Sequence, residues 1–149
     1  YSSEFEGAWI YEVLPIKNIR NIYTGMFKSS IYKLYFPSFI LLSIVFIVIF
    51  KLEVIKHLVV LFLSGILVSM VSFKLNEKYL PFSKPYNVGT SSKNIIVVFK
   101  SMITTGILVS IHFGIISMNT NVFIYIYALI LVGIIKISWK GIFTVKENT

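Results

Sequence analysis

The sequence predicts an all-α, polytopic membrane protein: four transmembrane helices preceded by a cytoplasmic, interfacial amphipathic helix. Its composition is the first reason, since 56% of the 149 residues are hydrophobic, 13% are charged and the mean hydropathy is +0.84. A soluble domain carries more polar surface than this. The second reason is a set of continuous apolar runs of about 20 residues, the length that crosses about 30 Å of hydrocarbon. These runs are apolar on every face, which fits helices rather than the alternating strands of a membrane barrel.

The apolar runs divide the chain into spans and loops. The first two form a hairpin around the polar turn Lys51–His57, and the last two follow a basic loop interrupted by Pro81, Pro85 and Gly89. We expect one transmembrane domain over 1–149, with a cytoplasmic or interfacial segment at 1–30, spans at about 31–50, 54–73, 95–118 and 122–139, and a cytoplasmic loop at 74–94. Because the chain begins at Tyr1, we also expect it to be a fragment of a longer membrane protein.

Residues 18–33 show the periodicity of an amphipathic helix. Apolar side chains recur at i, i+3, i+4 and i+7, including Ile19, Tyr23 and Phe27, while basic and amide side chains lie mostly off this stripe. Asn18 is a suitable N-cap. A basic amphipathic helix before a span is typical of the membrane interface, and simple anchoring of the first span is an equally good interpretation.

The positions of the basic residues predict the orientation. If the N-terminal segment is cytoplasmic and the spans alternate, all of the 14 lysine and arginine residues except Lys51 and Lys56 fall on or near the cytoplasmic side. This asymmetry is the positive-inside pattern. It predicts a multi-pass protein of the cell membrane with both ends in the cytoplasm.

Small residues spaced four apart mark candidate helix-packing faces. The third span carries Gly106, Ser110 and Gly114, and the second carries Gly65 and Ser69. Such faces let helices approach closely in lipid. A substrate path lined by small and hydroxyl side chains is the alternative, but helix packing is favoured because no charged group lines the path.

The residue inventory argues against several kinds of chemistry. The chain has no cysteine, so thiol chemistry and disulfides are excluded, and the net charge of +8 flanks the spans instead of lining a face for nucleic acid. His57 is expected in a solvated turn, and His112 within the third span is expected to bond a facing helix. Neither has a second ligand at i+3 or i+4, so no metal or other cofactor is expected. The stretch Gly89-Thr90-Ser91-Ser92-Lys93 lacks the pattern of a phosphate-binding P-loop.

One enzymatic alternative uses Ser64 and His112. The stretches Ser64-Gly65 and His112-Phe113-Gly114 resemble the serine and histidine helices of rhomboid proteases, which implies an intramembrane serine hydrolase. The pattern departs at Phe62, where the family has glycine two residues before the serine.

A second resemblance covers roughly residues 3–85. The sequence resembles membrane subunits (permeases) of bacterial ABC exporters at Trp9-Ile10-Tyr11-Glu12-Val13-Leu14-Pro15-Ile16, at Gly25-Met26-Phe27-Lys28-Ser29 with Lys33, and at Leu80-Pro81-Phe82-Ser83. The resemblance implies the C-terminal portion of a permease, working as a dimer or pseudo-dimer in the lipid bilayer.

In that family the amphipathic segment is the coupling helix that docks on the ATPase. By this resemblance Pro15, Arg20, Gly25 and Lys28 would contact a separate cytoplasmic ABC ATPase, which would hydrolyse the ATP, so this chain would not itself be an enzyme. A non-catalytic membrane anchor or assembly protein is a third interpretation. The transported substrate does not follow from the sequence.

Overall fold

The structure, a computed structural model, describes residues 19–76, 92–118 and 120–142 and is helical over nearly all of these ranges. We number the helices α1 (Ile19–Ser30), α2 (Phe36–Phe50), α3 (Ile55–Leu75), α4 (Ser92–Ser117) and α5 (Asn121–Ile142). A π-helical turn, Ile31–Tyr35, joins α1 to α2, and a 3-10 turn, Leu52–Val54, precedes α3. Pro15, the loop at 77–91 and the tail after residue 142 lie outside the described residues. The predicted all-α class is confirmed.

Four stretches are long and apolar enough to cross a membrane: Arg20–Phe50, Leu52–Leu75, Ile95–Ser117 and Asn121–Trp139. The chain therefore has the makeup of a multi-pass helical membrane protein, with the predicted helical region before the first span. The sequence indicated a separate amphipathic helix, whereas the structure joins it to the first span without a break.

The junction between α1 and α2 is a turn of wider helix. The N–H of Phe36 donates to the carbonyl of Ile31, five residues earlier, as in a π-helix. Pro37 follows directly, and it has no N–H for the carbonyl of Lys33. A wider turn before Pro37 lets the helix continue past the residue that would otherwise break it.

α3 is the central helix of the bundle. It packs on both α4 and α5 and makes a smaller contact with α2. We call the end of the bundle that holds the 3-10 turn and the α4–α5 connection the turn end, and the opposite end, where α3 and α5 finish, the terminal end. The mid-bundle cluster joins α3 to α5 and comprises Val60, Leu67, Ile124, Tyr127 and Leu131.

A second buried cluster closes the terminal end. It comprises Tyr23 and Phe27 of α1, Met70 of α3 and Ile142 of α5, and we call it the terminal cluster. Met70 has none of its surface exposed. Tyr23 and Phe27, two residues of the apolar stripe of α1, are thus covered by protein within this chain.

α2 meets α3 through one polar and several aromatic contacts. The Tyr35 hydroxyl donates to the carbonyl of Phe62 at 2.9 Å, and the two rings stack with centroids 5.4 Å apart. Gly65 lies directly beneath the Tyr35 ring, where a Cβ would come within 2.7 Å of the Tyr35 Cζ. The first span therefore approaches α3 at this position only because residue 65 has no side chain.

We predict that Gly65→Ala destabilises the protein, because the added methyl group displaces Tyr35 and breaks its hydrogen bond to Phe62. Overpacking of this kind costs about 1–3 kcal/mol. Gly106→Ala is the matched control, since a Cβ there meets no atom within 4 Å and alanine is the better helix former. Thermal unfolding in detergent should show a lower midpoint for Gly65→Ala alone; equal midpoints would contradict the contact.

Candidate functional site

A cleft between α3 and α4 holds the chemically interesting side chains of the bundle. Its volume is about 280 Å³. Its polar lining comprises Ser64, Thr105 and His112, and its apolar walls come from Leu61, Val68, Leu108 and Val109 together with Gly65. The structure therefore brings Ser64 and His112, which are 48 positions apart in the sequence, to one cavity. We call it the α3–α4 cleft.

A wider groove of about 850 Å³ continues from the cleft toward the terminal end and shares Thr105 with it. Ser72 of α3 and Ser101 of α4 meet there, with their hydroxyl oxygens 2.7 Å apart. Ser101 and Thr105 also donate to backbone carbonyls one turn earlier, each at 2.9 Å. These hydroxyl groups are thus satisfied inside the protein, which is how polar side chains are accommodated at membrane depth.

At the turn end, two histidines join the same pair of helices. Nδ1 of His57 and Nε2 of His112 are 3.3 Å apart, and the rings meet edge to face with centroids separated by 5.3 Å. We call them the histidine pair. The predicted bond from His112 to a facing helix is therefore present, and its partner is His57, which the sequence had placed in a solvated turn.

His112 is enclosed on its other side by α5. Its ring stacks on Tyr127 at a centroid distance of 6.3 Å, and the Tyr127 hydroxyl donates to the carbonyl of Leu108. Nδ1 of His112 is buried and has no hydrogen-bond partner among the described residues. Since Nε2 faces His57, neither ring nitrogen of His112 is hydrogen-bonded to Ser64.

The described residues place no further strong metal ligands around the histidine pair. Among residues 19–76, 92–118 and 120–142, no group of three or more histidine, cysteine, aspartate or glutamate side chains is placed to hold a metal ion. Lys56, adjacent to His57, is bonded to Asn121 of α5.

The predicted coupling residues lie on the solvent-accessible face of α1. Arg20, Gly25 and Lys28 are exposed, and a Cβ at Gly25 would meet no atom within 4 Å. The opposite face is fixed by aromatic contacts: the Phe27 ring lies 5.3 Å from that of Phe73 and 5.9 Å from that of Trp139. α1 therefore offers a polar, partly basic face while its apolar face is attached to two other helices.

The predicted small-residue faces have different surroundings. Gly65 packs against Tyr35, and the Ser69 hydroxyl donates to the carbonyl of Gly65. Gly106, Ser110 and Gly114 are all exposed on α4, and nothing lies within 4 Å of a Cβ at either glycine. Packing through this second face stays a prediction.

Comparisons with protein families, with curated proteins and with solved structures find no match to this chain.

The contact between Ser72 and Ser101 gives a direct test of how α3 and α4 are registered. We predict that the Ser72→Cys, Ser101→Cys variant forms an intramolecular disulfide under mild oxidation, because the two hydroxyl oxygens are already in contact. The chain contains no cysteine that would compete. Peptide mass spectrometry should find this link but none in Ser72→Cys, Ser110→Cys, whose second site faces away from α3; a reversed result would disprove the register.

Proposed function

We propose that this chain is a permease subunit of an ATP-driven exporter of the bacterial cell membrane. A separate cytoplasmic ATPase would dock on the exposed face of α1 and drive the spans. The observation that carries the proposal is that α1 is joined to the bundle in two ways. It continues into the first span, and Tyr23 and Phe27 of its apolar stripe are buried in the terminal cluster.

The terminal cluster supports a role for α1 in transmitting force. Tyr23 and Phe27 are 5% and 4% exposed, and they pack on Met70 of α3 and Ile142 of α5. A helix bound only to lipid would keep such side chains in contact with acyl chains. Because these side chains contact protein, a force applied to the exposed face of α1 would be transmitted to the ends of α3 and α5.

The π-helical turn provides a second route, which leads to the α3–α4 cleft. Tyr35 at the end of this turn bonds the Phe62 carbonyl and covers Gly65. Gly65 also lines the α3–α4 cleft. A movement of α1 along its axis would therefore reach the wall of a cavity deep in the bundle, and π-helical turns are frequent at functional positions of this kind.

The charge distribution supports a cytoplasmic location for the terminal end. Lys28, Lys33, Lys74 and Lys136 lie toward that end, while Lys51 and Lys56 lie at the turn end. By the positive-inside tendency the terminal end faces the cytoplasm, so the exposed face of α1 lies on the side where an ATPase would be. Exporter permeases work in pairs, and we propose a dimer or pseudo-dimer here.

The test uses charge reversal on α1. We predict that a vanadate-sensitive ATPase activity copurifies with the chain from its native membrane and falls by about tenfold or more in Arg20→Glu, Lys28→Glu. Reversing interface charges places like charges together and costs several kcal/mol, and about 1.4 kcal/mol is already tenfold. Lys51→Glu, at the turn end, is the matched control and should leave the activity unchanged.

Two results would count against the proposal. If ATPase activity copurifies but survives the double reversal, α1 is not the docking helix. If no nucleotide-dependent activity accompanies the chain at all, the protein is better explained as a membrane anchor or assembly protein.

An intramembrane serine hydrolase is the second candidate, and one observation favours it: Ser64 and His112 line the same cleft. The hydrogen-bonding pattern is less favourable, because Nε2 of His112 faces His57 and Nδ1 has no partner among the described residues, whereas a nucleophilic serine needs an adjacent base. Labelling of Ser64 by a fluorophosphonate probe, lost in Ser64→Ala, would support this candidate; an unlabelled wild-type chain would remove it.

A further inference from the structure

We propose that the histidine pair is a proton-operated latch: it holds α3 and α4 together at the turn end while both rings are neutral, and it opens when the pair binds a proton. This proposal does not rest on the exporter function. It rests on the 3.3 Å separation of the two nitrogens and on the buried, unpartnered Nδ1 of His112.

The positions of the hydrogens on the four ring nitrogens determine which protonation state fits the structure. Two neutral rings carry one hydrogen each, and the contact between His57 Nδ1 and His112 Nε2 needs one hydrogen between them. If His112 donates from Nε2, its Nδ1 is bare. If His57 donates from Nδ1, the hydrogen of His112 must sit on Nδ1, where a buried N–H without an acceptor is costly. The structure therefore favours the neutral pair in which His112 donates.

Adding one proton makes the present arrangement unfavourable in every form. If the hydrogen bond between the rings is kept, the other two nitrogens each carry a hydrogen, and one of these is His112 Nδ1, which has no acceptor. If His112 Nδ1 stays bare, two N–H groups face each other at 3.3 Å. A charged imidazole enclosed without an acceptor carries a further desolvation cost. Proton uptake must therefore separate the rings or turn His112 out of its place.

None of the described side chains is hydrogen-bonded to Nδ1 of His112, and the titratable and charged groups near the pair are few. From α3, Lys56 is cationic and bonded to Asn121. From α5, Tyr127 stacks its ring on His112 and uses its hydroxyl on Leu108. The 3-10 turn carries Glu53, one turn before His57. On the described side chains of α4, the other charged group is Lys100, about 18 Å along the helix from His112.

The position of the pair determines what an opening would do. His112 lines the α3–α4 cleft, and the pair lies at the turn end of that cleft. At the other end the two helices are joined by the hydroxyl contact of Ser72 and Ser101, which does not titrate. Protonation would therefore widen the cleft at the turn end while its other end stays closed.

The opening can be measured by spin labels in the full chain, which has no cysteine of its own. With labels at Leu61→Cys and Val109→Cys, on opposite walls of the cleft, we expect the distance to lengthen by about 2 Å or more between pH 8 and pH 5, the scale of helix shifts in switching proteins. Labels at Asn76→Cys and Val98→Cys report on the terminal end and should not move. Adding His57→Gln, His112→Gln should abolish the response.

An unchanged Leu61–Val109 distance in the protein with both histidines would overturn the latch. The same lengthening in the double glutamine variant would also overturn it, because no imidazole is left to titrate.

A second measurement needs no substitution. The chain has two histidines, so ¹⁵N-histidine NMR of the untagged protein resolves both rings. We expect His112 to carry its hydrogen on Nε2 at pH 8, with a bare Nδ1. A hydrogen on Nδ1 at pH 8, or protonation that leaves the contact between the rings intact, would contradict the proposal.

Discussion

The packing around α3 is the constraint on which the rest of the structure depends. Helices in lipid gain little from apolar burial against one another, so close packing and hydrogen bonds must hold them. α3 supplies one or both of these to each neighbour. Met70 packs in the terminal cluster against α1, and the missing side chain at Gly65 leaves room for Tyr35 of the first span, which bonds the Phe62 carbonyl. Ser72 and His57 contact α4 through polar groups. Val60 and Leu67 pack on α5. A shift of α3 would disturb all of these contacts together.

The polar contacts between α3 and α4 are of two kinds, and this difference gives the cleft its two unlike ends. The serine contact near the terminal end is neutral at any physiological pH. The histidine pair at the turn end consists of two imidazoles, side chains that can bind a proton. The serine contact therefore joins α3 and α4 at one end regardless of pH, whereas the histidine contact at the other end depends on protonation. Ser64 and Thr105 line the cleft between these two contacts. α1 is attached to the terminal cluster, at the same end of the bundle as the serine contact.

The spans and the stripe of α1 could be predicted from the sequence because run length and helical periodicity are local properties. The contacts between helices could not, because they depend on rotation and register. Gly65 and Gly106 have equivalent sequence settings, yet one meets Tyr35 and the other meets nothing. His57 and His112 are 55 positions apart. The sequence signal for their contact is that each histidine lies within a few residues of a turn at the same end of the bundle. The π-helical turn that joins α1 to α2 just before Pro37 could not be predicted from the sequence pattern.

The docking of α1 on the terminal ends of α3 and α5 can be tested most directly through the methionines. The chain has four: Met70 is fully buried, whereas Met26, Met102 and Met118 are 37%, 67% and 62% exposed. In ¹³C-methyl NMR with a lipid-soluble relaxation agent, docking predicts that Met70 alone is protected and that its methyl shows a nuclear Overhauser effect to the ring of Phe27. A Met70 methyl relaxed as strongly as that of Met102, with no contact to Phe27, would contradict the docking and the role assigned to α1.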